Sequence, residues 1–373
     1  MKPVIDLDRE YGLVLEGGGA KGAYQIGAWK ALREAGVKIK GISGTSVGAL
    51  NGALICMGDL EMAEEIWENI TYSTIMDVDD NLMRQFFQLK LKAKEFLELG
   101  LKHIRDGGID VTPLKKLIEE AVDPEAIMTS PIDLYVQTFH VDSLQELHVD
   151  MKEIGPENIR DMLLASAYMF PVFKTEKLLG SRFIDGGLAD NVPMDALLDK
   201  GYEDIIVIRI YGVGFTKPVK VPENVNLFTV EPRVDLGSIM DFEAEKSRRN
   251  MVIGYFDTMR MLYGLEGRIY YIDQSHDEEF YLHKLASMKE GTGTLRSFMD
   301  RVLPKVAMEL KLGADWDYKE LYLSMLEASA RLVRVPKYKI YTVEELQIAV
   351  KENGFTMEPG EKLPQFAQMI LNS

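Results

Sequence analysis

The chain has 373 residues, of which 46% are hydrophobic and 27% are charged, which is the composition of an ordinary folded protein. Its length suits one large catalytic domain with an appendage, or two domains. The 59 acidic residues outnumber the 43 basic ones, and the resulting net charge of −16 repels phosphate backbones. We therefore expect no nucleic-acid partner.

Residue types that bind transition metals are scarce in this sequence. The five histidines show no HExxH pairing, and Cys56 is the single cysteine, so we expect no metal, no cofactor and no internal disulfide. The amino terminus lacks the basic start and apolar stretch of a secretory signal, and no apolar run is long enough to span a bilayer. These features predict a cytoplasmic location.

The first sixty or so residues alternate between strand and helix patterns. Strands are predicted at 12–16 and 37–42, and helices follow them at 24–34 and 47–57. A glycine-containing turn joins each strand to its helix. This order is typical of an α/β domain with a parallel sheet.

The mixed pattern continues to about residue 272, after which helices with polar connections predominate, including one at 342–353. That helix opens with a capping box formed by Thr342 and Glu345. We assign one α/β domain to 10–272 and a helical carboxyl-terminal region of unassigned role to 273–373. Helices are also predicted at 61–105 and 113–121, and strands at 134–149, 182–184 and 204–210.

The strongest local signal is the sequence GTSVG at 44–48, a GxSxG pattern between a predicted strand and a predicted helix. A nucleophile at the tip of a strained turn needs small neighbours, because the backbone must fold tightly and leave the hydroxyl clear. Gly44 and Gly48 meet this need on either side of Ser46. A plain tight turn can carry the same pentapeptide, so the assignment of Ser46 as nucleophile depends on its context.

A second glycine-rich loop, GGGAKG, follows the first predicted strand and precedes the first helix. Such a loop turns several backbone amides toward one point at a helix amino terminus, which creates an anion site. The interpretation that uses both motifs is an oxyanion hole for attack by Ser46 on a carbonyl group. The candidate residues are Gly17, Gly18, Gly19, Ala20, Lys21 and Gly22.

This loop has other possible interpretations. Gly17, Gly19 and Gly22 match the dinucleotide fingerprint GxGxxG, but the next strand ends in the nucleophile turn, where an acidic residue should hold ribose. A Walker loop requires Lys and Ser or Thr after its last glycine, and Ala23 stands there. Packing glycines are the remaining alternative, and four glycines in six positions do not favour a helix.

The candidate base is Asp185, which follows a short predicted strand and precedes Gly186 and Gly187. A carboxylate at a strand end beside two glycines can approach another loop closely, although an Asp-Gly pair is more often only a turn. Histidine is the usual base for a serine nucleophile. None of the five histidines has a persuasive setting, so the sequence favours Asp185.

Three motifs together resemble the signature blocks of the patatin-like phospholipase family, of the bacterial type. They are EGGGAKG, GTSVG and IDGGLADNVP, in that order, and LLASAYMFPVF resembles the block that precedes the catalytic aspartate. The resemblance covers roughly residues 10–212. It implies a three-layer α/β/α domain with a mostly parallel sheet, a Ser46 and Asp185 dyad, and hydrolysis of (phospho)lipid acyl esters without a metal.

Alternative functions use the same residues. An esterase or thioesterase acting on soluble acyl donors, or an acyltransferase, would employ Ser46 and Asp185 identically. A dinucleotide-binding protein is a remote alternative that would use only the glycine loop.

Residues 84–105 contain six basic and two acidic residues in a chain that is acidic overall. Phe86, Leu89, Ala93 and Phe96 fall near one face of a helix, a pattern typical of helices that rest transiently on a membrane surface. The favoured alternative is a cap helix whose apolar face packs on its own domain.

Overall fold

The computed structural model describes residues 1–87, 107–273, 276–289, 293–354 and 363–373. Most of the basic helix predicted at 84–105 lies outside these residues. Among them, no helix combines the length and the apolar character needed to cross a membrane.

Two compact units divide the chain. One comprises Ile5–Met261, and the other combines Met1–Val4 with Leu262–Ser373. The boundary predicted at 272/273 therefore falls inside the second unit. The physical reason is strand pairing, because the short strand Tyr271–Ile272 pairs in parallel with Ile340–Tyr341, far along the chain.

The first unit is built on an eight-stranded sheet with the order β5-β6-β3-β2-β1-β7-β8, to which β4 is added by pairing with β3. The pairs β1–β2, β2–β3, β1–β7 and β7–β8 are parallel, and the pairs that β3 forms with β4 and β6 are antiparallel. The strands are β1 (Glu10–Leu15), β2 (Lys38–Thr45), β3 (Asp133–His140), β4 (Gln145–Asp150), β5 (Lys177–Leu178), β6 (Ser181–Asp185), β7 (Asp204–Ile208) and β8 (Asn226–Val230).

Helices cover both faces of this sheet, as alternation along a strand shows. Leu15 lies against Gly52 of the helix α2 (Val47–Met57). Its neighbour Val14 points to the opposite face and packs in a cluster with Leu197 of the helix Asp195–Asp199. The result is the predicted three-layer α/β/α arrangement.

The strand β7 illustrates why the central strands are apolar. Its sequence DIIVI is buried at all five positions, between β1 and β8. Parallel strands covered on both faces have continuous apolar runs rather than alternating ones. The predicted strand at 204–210 is confirmed, and it ends at Ile208.

The predicted helices at 24–34, 47–57 and 113–121 are present with small changes of boundary. The predicted helical stretch that begins at residue 61 is divided into separate helices in its described part. The helices of the first unit are α1 (Ala23–Glu34), α2, and those at Leu60–Glu68, Tyr72–Ile75, Asp80–Phe87, Thr112–Ala121, Pro124–Thr129, Pro156–Ser166, Asp195–Asp199 and Ala244–Tyr263.

The second unit is mainly helical and has its own apolar core, which includes Leu285, Leu326 and Leu346. The capping box predicted for the helix Val343–Gly354 is confirmed, because Thr342 and Glu345 each accept a hydrogen bond from the other's backbone amide at 3.1 Å. The helices lie at Glu278–Ser287, Leu295–Ser297, Leu303–Glu309, Tyr318–Leu332, Val343–Gly354 and Gln365–Asn372.

Candidate active site

The turn between β2 and α2 is a strained elbow with Ser46 at its tip. Ser46 has φ 55° and ψ −123°, a conformation that non-glycine residues rarely adopt and that is found mainly at functional sites. The flanking glycines permit it. A Cβ atom at Gly44 would lie 2.5 Å from the carbonyl carbon of Gly48, and one at Gly48 would clash with the carbonyl oxygen of Leu15.

The sheet brings Asp185 to Ser46 through a shared edge of β3. Because β4 pairs with β3 along residues that also pair with β2 and with β6, the latter two strands must occupy the opposite edge. They run in opposite directions and meet there, with Thr45 opposite Gln137 and Asp185 opposite Thr138. Ser46 and Asp185 are consequently brought to one cavity, which both of them line.

The environment of Asp185 makes it a stronger base than an exposed carboxylate. Burial raises its pKa to about 6, while hydrogen bonds from the Ser46 side chain and the Gly187 amide oppose this rise. The Gly187 amide donates to Oδ1 of Asp185 at 2.8 Å. A base with a pKa in this range is ionised at neutral pH and can still accept a proton efficiently.

The glycine loop faces the same space. Gly18 and Gly19 line a cavity together with Ser46 and Asp185, and their amides donate to no group in the described part of the chain. Three other loop amides are already engaged. Those of Gly17, Ala20 and Lys21 donate to the carbonyl oxygens of Asn191, Ile239 and Gly18 at 3.1, 2.8 and 3.2 Å.

Two loop residues have packing roles. The ammonium group of Lys21 donates to the carbonyl oxygen of Tyr211 at 2.7 Å. A side chain at Gly22 would collide with Val47 and Trp67, so this glycine permits close packing of the loop against α2. Of the six residues predicted as an oxyanion hole, the structure thus leaves the amides of Gly18 and Gly19 unpaired beside Ser46.

Glu16 is a buried carboxylate that holds this loop against the end of β7, a role that the sequence did not reveal. It is 1% exposed and accepts hydrogen bonds from the amides of Ile210 and Tyr211 at 2.6 and 3.0 Å. The guanidinium of Arg209 forms an ion pair with it at 2.9 Å. Glu16 therefore fixes the position of the glycine loop.

Ser166 holds the backbone of the elbow in place. Its hydroxyl accepts a hydrogen bond from the Ser46 amide at 2.8 Å and donates to the carbonyl oxygen of Gln137 at 2.6 Å. Ser166 is fully buried at the end of the helix Pro156–Ser166. It fixes the elbow relative to β3, and the only signal for it in the sequence was its place in the LLASAYMFPVF block.

Two cavities open on either side of Ser46. One, of about 840 Å³ including its open mouth, is lined by apolar side chains from α2 and its neighbouring helices. The other is bounded by the Gly18 and Gly19 backbone and by the segments around Asp185 and Phe215. Asp185 is the only charged residue that lines either cavity in the described part of the chain.

The histidines have other partners. His140 contacts Ser143, and His148 lies 3.1 Å from Glu146. His276 and His283 belong to the second unit, where each lies beside a glutamate, and His103 falls outside the described residues. No described histidine lines a cavity at Ser46.

These features define an α/β protein in which a strained serine turn, a glycine-rich loop and a carboxylate line one cavity. The Patatin-like phospholipase family model matches residues 13–198, a range that contains the elbow, the glycine loop and Asp185. The chain therefore belongs to the patatin-like phospholipase family.

The relatives that this chain resembles match it over only part of their own length. Neuropathy target esterase sws of Drosophila melanogaster is 29% identical over 242 residues, covering 57% of this chain and 15% of that protein. Lysophospholipase nte1 of Aspergillus terreus is 63% identical over 46 residues, 12% of this chain and 3% of that protein. Among solved structures, VipD from Legionella pneumophila is 14% identical, covering 97% of this chain and 85% of that chain with a TM-score of 0.43, too low to carry an argument.

Proposed function

We propose that this protein is a serine acyl hydrolase that cleaves lipid acyl esters through a Ser46 and Asp185 dyad. The observation that carries the proposal is that the strained Ser46 and the partly buried Asp185 line the same cavity. The family to which residues 13–198 belong is consistent with this activity.

The geometry supports a two-step reaction. Ser46 Oγ attacks the ester carbonyl carbon while its proton passes to Asp185, and the alcohol then leaves with that proton, so that an acyl-Ser46 ester remains. Water, deprotonated by Asp185, attacks this ester and releases the acid and free Ser46. The amides of Gly18 and Gly19 stabilise the negative oxygen in both steps, since they have no other acceptor in the described chain.

The two cavities suit the two parts of an ester. The apolar cavity beside α2 accommodates the acyl chain, and the cavity that contains Asp185 accommodates the alcohol, which must receive the proton. Four large apolar side chains at the second cavity are exposed, although burial is their usual state. They are Phe170, Leu188, Val213 and Phe215, at 66%, 62%, 76% and 56% exposure.

This exposed rim favours a lipid substrate over a soluble acyl donor. Apolar side chains grouped around a site mark surfaces that contact apolar partners. An esterase, thioesterase or acyltransferase acting on soluble donors would have the same dyad, but it would have no use for the rim.

Contact with a membrane surface through 84–105 stays a prediction. Replacing Lys90, Lys92 and Lys94 by Glu should weaken hydrolysis of anionic vesicles without affecting a soluble ester.

Labelling with a fluorophosphonate probe tests the nucleophile. We expect one adduct, on Ser46, located by mass spectrometry of the labelled peptide, and none in Ser46→Ala. A label on another residue with Ser46 free would overturn the proposal. Binding of a nicotinamide cofactor without labelling would favour the dinucleotide alternative.

Replacing the five histidines one at a time tests the base. Because the pKa of Asp185 is about 6, a pH profile alone resembles that of a histidine with its ordinary pKa of about 6.5. We expect every histidine variant to keep most of its activity. A histidine variant that lost roughly a thousandfold would instead indicate a triad.

Catalysis without a metal is part of the proposal. Glu146, His148 and Asp195 offer ligand atoms within 4.8 Å of one another, but the ammonium of Lys217 lies 2.8 Å from Asp195 and supplies positive charge there. Exhaustive chelation should leave the rate unchanged. Loss of activity that added calcium restored would contradict this expectation.

A further inference from the structure

The apolar cavity follows one face of α2 away from the nucleophile. Val47, Leu50, Asn51 and Leu54 line it at helical spacing, starting next to Ser46. With a rise of about 1.5 Å per residue, Leu54 lies about 12 Å along the helix from Ser46. The helix continues to Met57, but no residue of α2 beyond Leu54 lines the cavity.

A second wall runs in the same direction. The helix Thr112–Ala121 begins near the site, because Ile109 pairs with Phe173, which itself lines the cavity. Its far end lies near the end of α2, since Ser130, shortly after it, donates to the carbonyl oxygen of Cys56 at 2.8 Å. From mouth to far end, this wall presents Leu114, Leu117, Ile118, Ala121 and Val122.

The far end of the wall is apolar. Leu54 is 6% exposed and Val122 is 4% exposed, whereas Ala121 is partly exposed, so Leu54 and Val122 form the buried part of this end. Asn51 is the one polar side chain on the α2 wall, and its polar atoms are used. Its amide nitrogen donates to Gln25, and its oxygen accepts from the Trp67 indole.

We infer that this cavity limits the length of the acyl chain that can bind, and that Leu54, Ala121 and Val122 set the longest chain it accepts. This inference rests on the proposed function. An extended chain advances about 1.3 Å per bond, given C–C lengths near 1.52 Å. A depth of about 12 Å therefore accommodates roughly nine carbons. The preferred substrates are esters of octanoyl and decanoyl chains, and longer chains fit only if the floor moves.

The test is the ratio kcat/KM for p-nitrophenyl esters from butanoyl to hexadecanoyl, all presented in the same mixed detergent micelles. Wild type should be fastest with octanoyl or decanoyl and at least roughly tenfold slower with tetradecanoyl, because a pocket of limited depth rejects extra methylenes. Leu54→Ala should move the optimum to longer chains. Ala121→Leu, which fills the floor from the opposite wall, should move it to shorter ones.

The matched control is Ile55→Ala. Ile55 is adjacent to Leu54 and equally apolar, is 1% exposed and does not line the cavity. Its truncation should lower stability as Leu54→Ala does and leave the optimum chain length unchanged.

Several outcomes would overturn the inference. They are equal rates across all chain lengths, an optimum at hexadecanoyl in wild type, or folded Leu54→Ala and Ala121→Leu variants with the wild-type optimum. In each case Ser46 labelling and ester hydrolysis would persist, so the proposed function would survive. Absence of both labelling and hydrolysis in wild type would overturn the proposed function and the inference together.

Discussion

Two strand ends of the same sheet each carry an acidic residue, Glu16 buried and Asp185 partly buried, and the two carboxylates have different partners. Glu16, after β1, receives two backbone amides and an ion pair from Arg209. Asp185, at the end of β6, receives the Gly187 amide and shares a cavity with Ser46, and no cation is paired with it in the described chain. The first arrangement satisfies the charge, and the second leaves it partly unsatisfied.

The difference separates a structural anion from the proposed base. A desolvated carboxylate with few donors has a raised pKa and readily accepts a proton, as is the case for Asp185. The local sequence pattern does not distinguish Glu16 from Asp185, because each residue stands at or directly after the end of a strand and precedes a glycine. The partners at the end of β7 distinguish Glu16 from Asp185. Replacing each carboxylate by its isosteric amide tests this distinction.

Asp185→Asn should give the largest effect. The amide cannot accept the proton of Ser46, so we expect kcat to fall by roughly a thousandfold or more, within the range that general-base catalysis contributes. The variant should stay folded, because the carbonyl oxygen of the new side chain can still accept the Gly187 amide. Steady-state kinetics with circular dichroism measure both quantities, and retention of a tenth of the activity would remove Asp185 as the base.

Glu16→Gln should act mainly on stability. It leaves the Arg209 guanidinium without its counter-charge and weakens the hydrogen bonds from Ile210 and Tyr211. We expect the free energy of unfolding to fall by about 2 to 3 kcal/mol, as for hydrogen bonds to charged groups. Urea unfolding measures this loss. A loss of activity comparable to that of Asp185→Asn, in a protein of unchanged stability, would make Glu16 part of the chemistry.

The pH dependence should report Asp185. Its ionised form is the base, so kcat/KM should fall about tenfold per pH unit below a pH of about 6. The folded-state pKa is raised above its ordinary value of 3.8, so folded Asp185 binds its proton more tightly than the unfolded chain does. Its unfavourable contribution to stability is therefore full above pH 6 and is relieved as the pH falls from about 6 toward 3.8.

Ionised Asp185 should therefore lower the free energy of unfolding at neutral pH. Asp185→Asn removes a partly desolvated charge and should raise the free energy of unfolding, the opposite of Glu16→Gln. Comparing the two variants by urea unfolding at neutral pH checks this contrast. A loss of stability in both would show that Asp185 is as well satisfied as Glu16.

The local parts of the site could be predicted from the sequence because they depend on neighbouring residues. The elbow at Ser46 needs glycines at fixed positions, and the bounds of α2 matched the prediction. The meeting of Ser46 with Asp185 depends on β2 and β6 sharing one edge of β3, which no local pattern encodes. Only the resemblance to a family linked those motifs in advance.

The missed features are long-range for the same reason. Glu16 gains its role from residues of the β7 end, and Ser166 from β3 and the elbow. The strand β2 was predicted to stop at residue 42 and runs to Thr45, because pairing with β3 continues to Gln137. Tertiary pairing extends a strand into a glycine-containing segment of low intrinsic strand propensity.

Ser166→Ala tests positioning and should give the smallest effect. It removes the hydroxyl that accepts from the Ser46 amide and donates to the Gln137 carbonyl oxygen, so the elbow should hold Ser46 less firmly near Asp185. We expect a loss of about 1 to 2 kcal/mol in stability and roughly a tenfold fall in kcat with KM nearly unchanged. The fluorophosphonate labelling rate of Ser46 should fall in the same proportion. A merely structural loss would leave this rate unchanged once it is corrected for the folded fraction.

Ser166→Thr keeps the hydroxyl and should restore part of the labelling rate. If Ser166→Ala lost stability with an unchanged labelling rate, Ser166 would support the fold alone, and the geometry of Ser46 and Asp185 would depend only on the elbow glycines and the β3 edge.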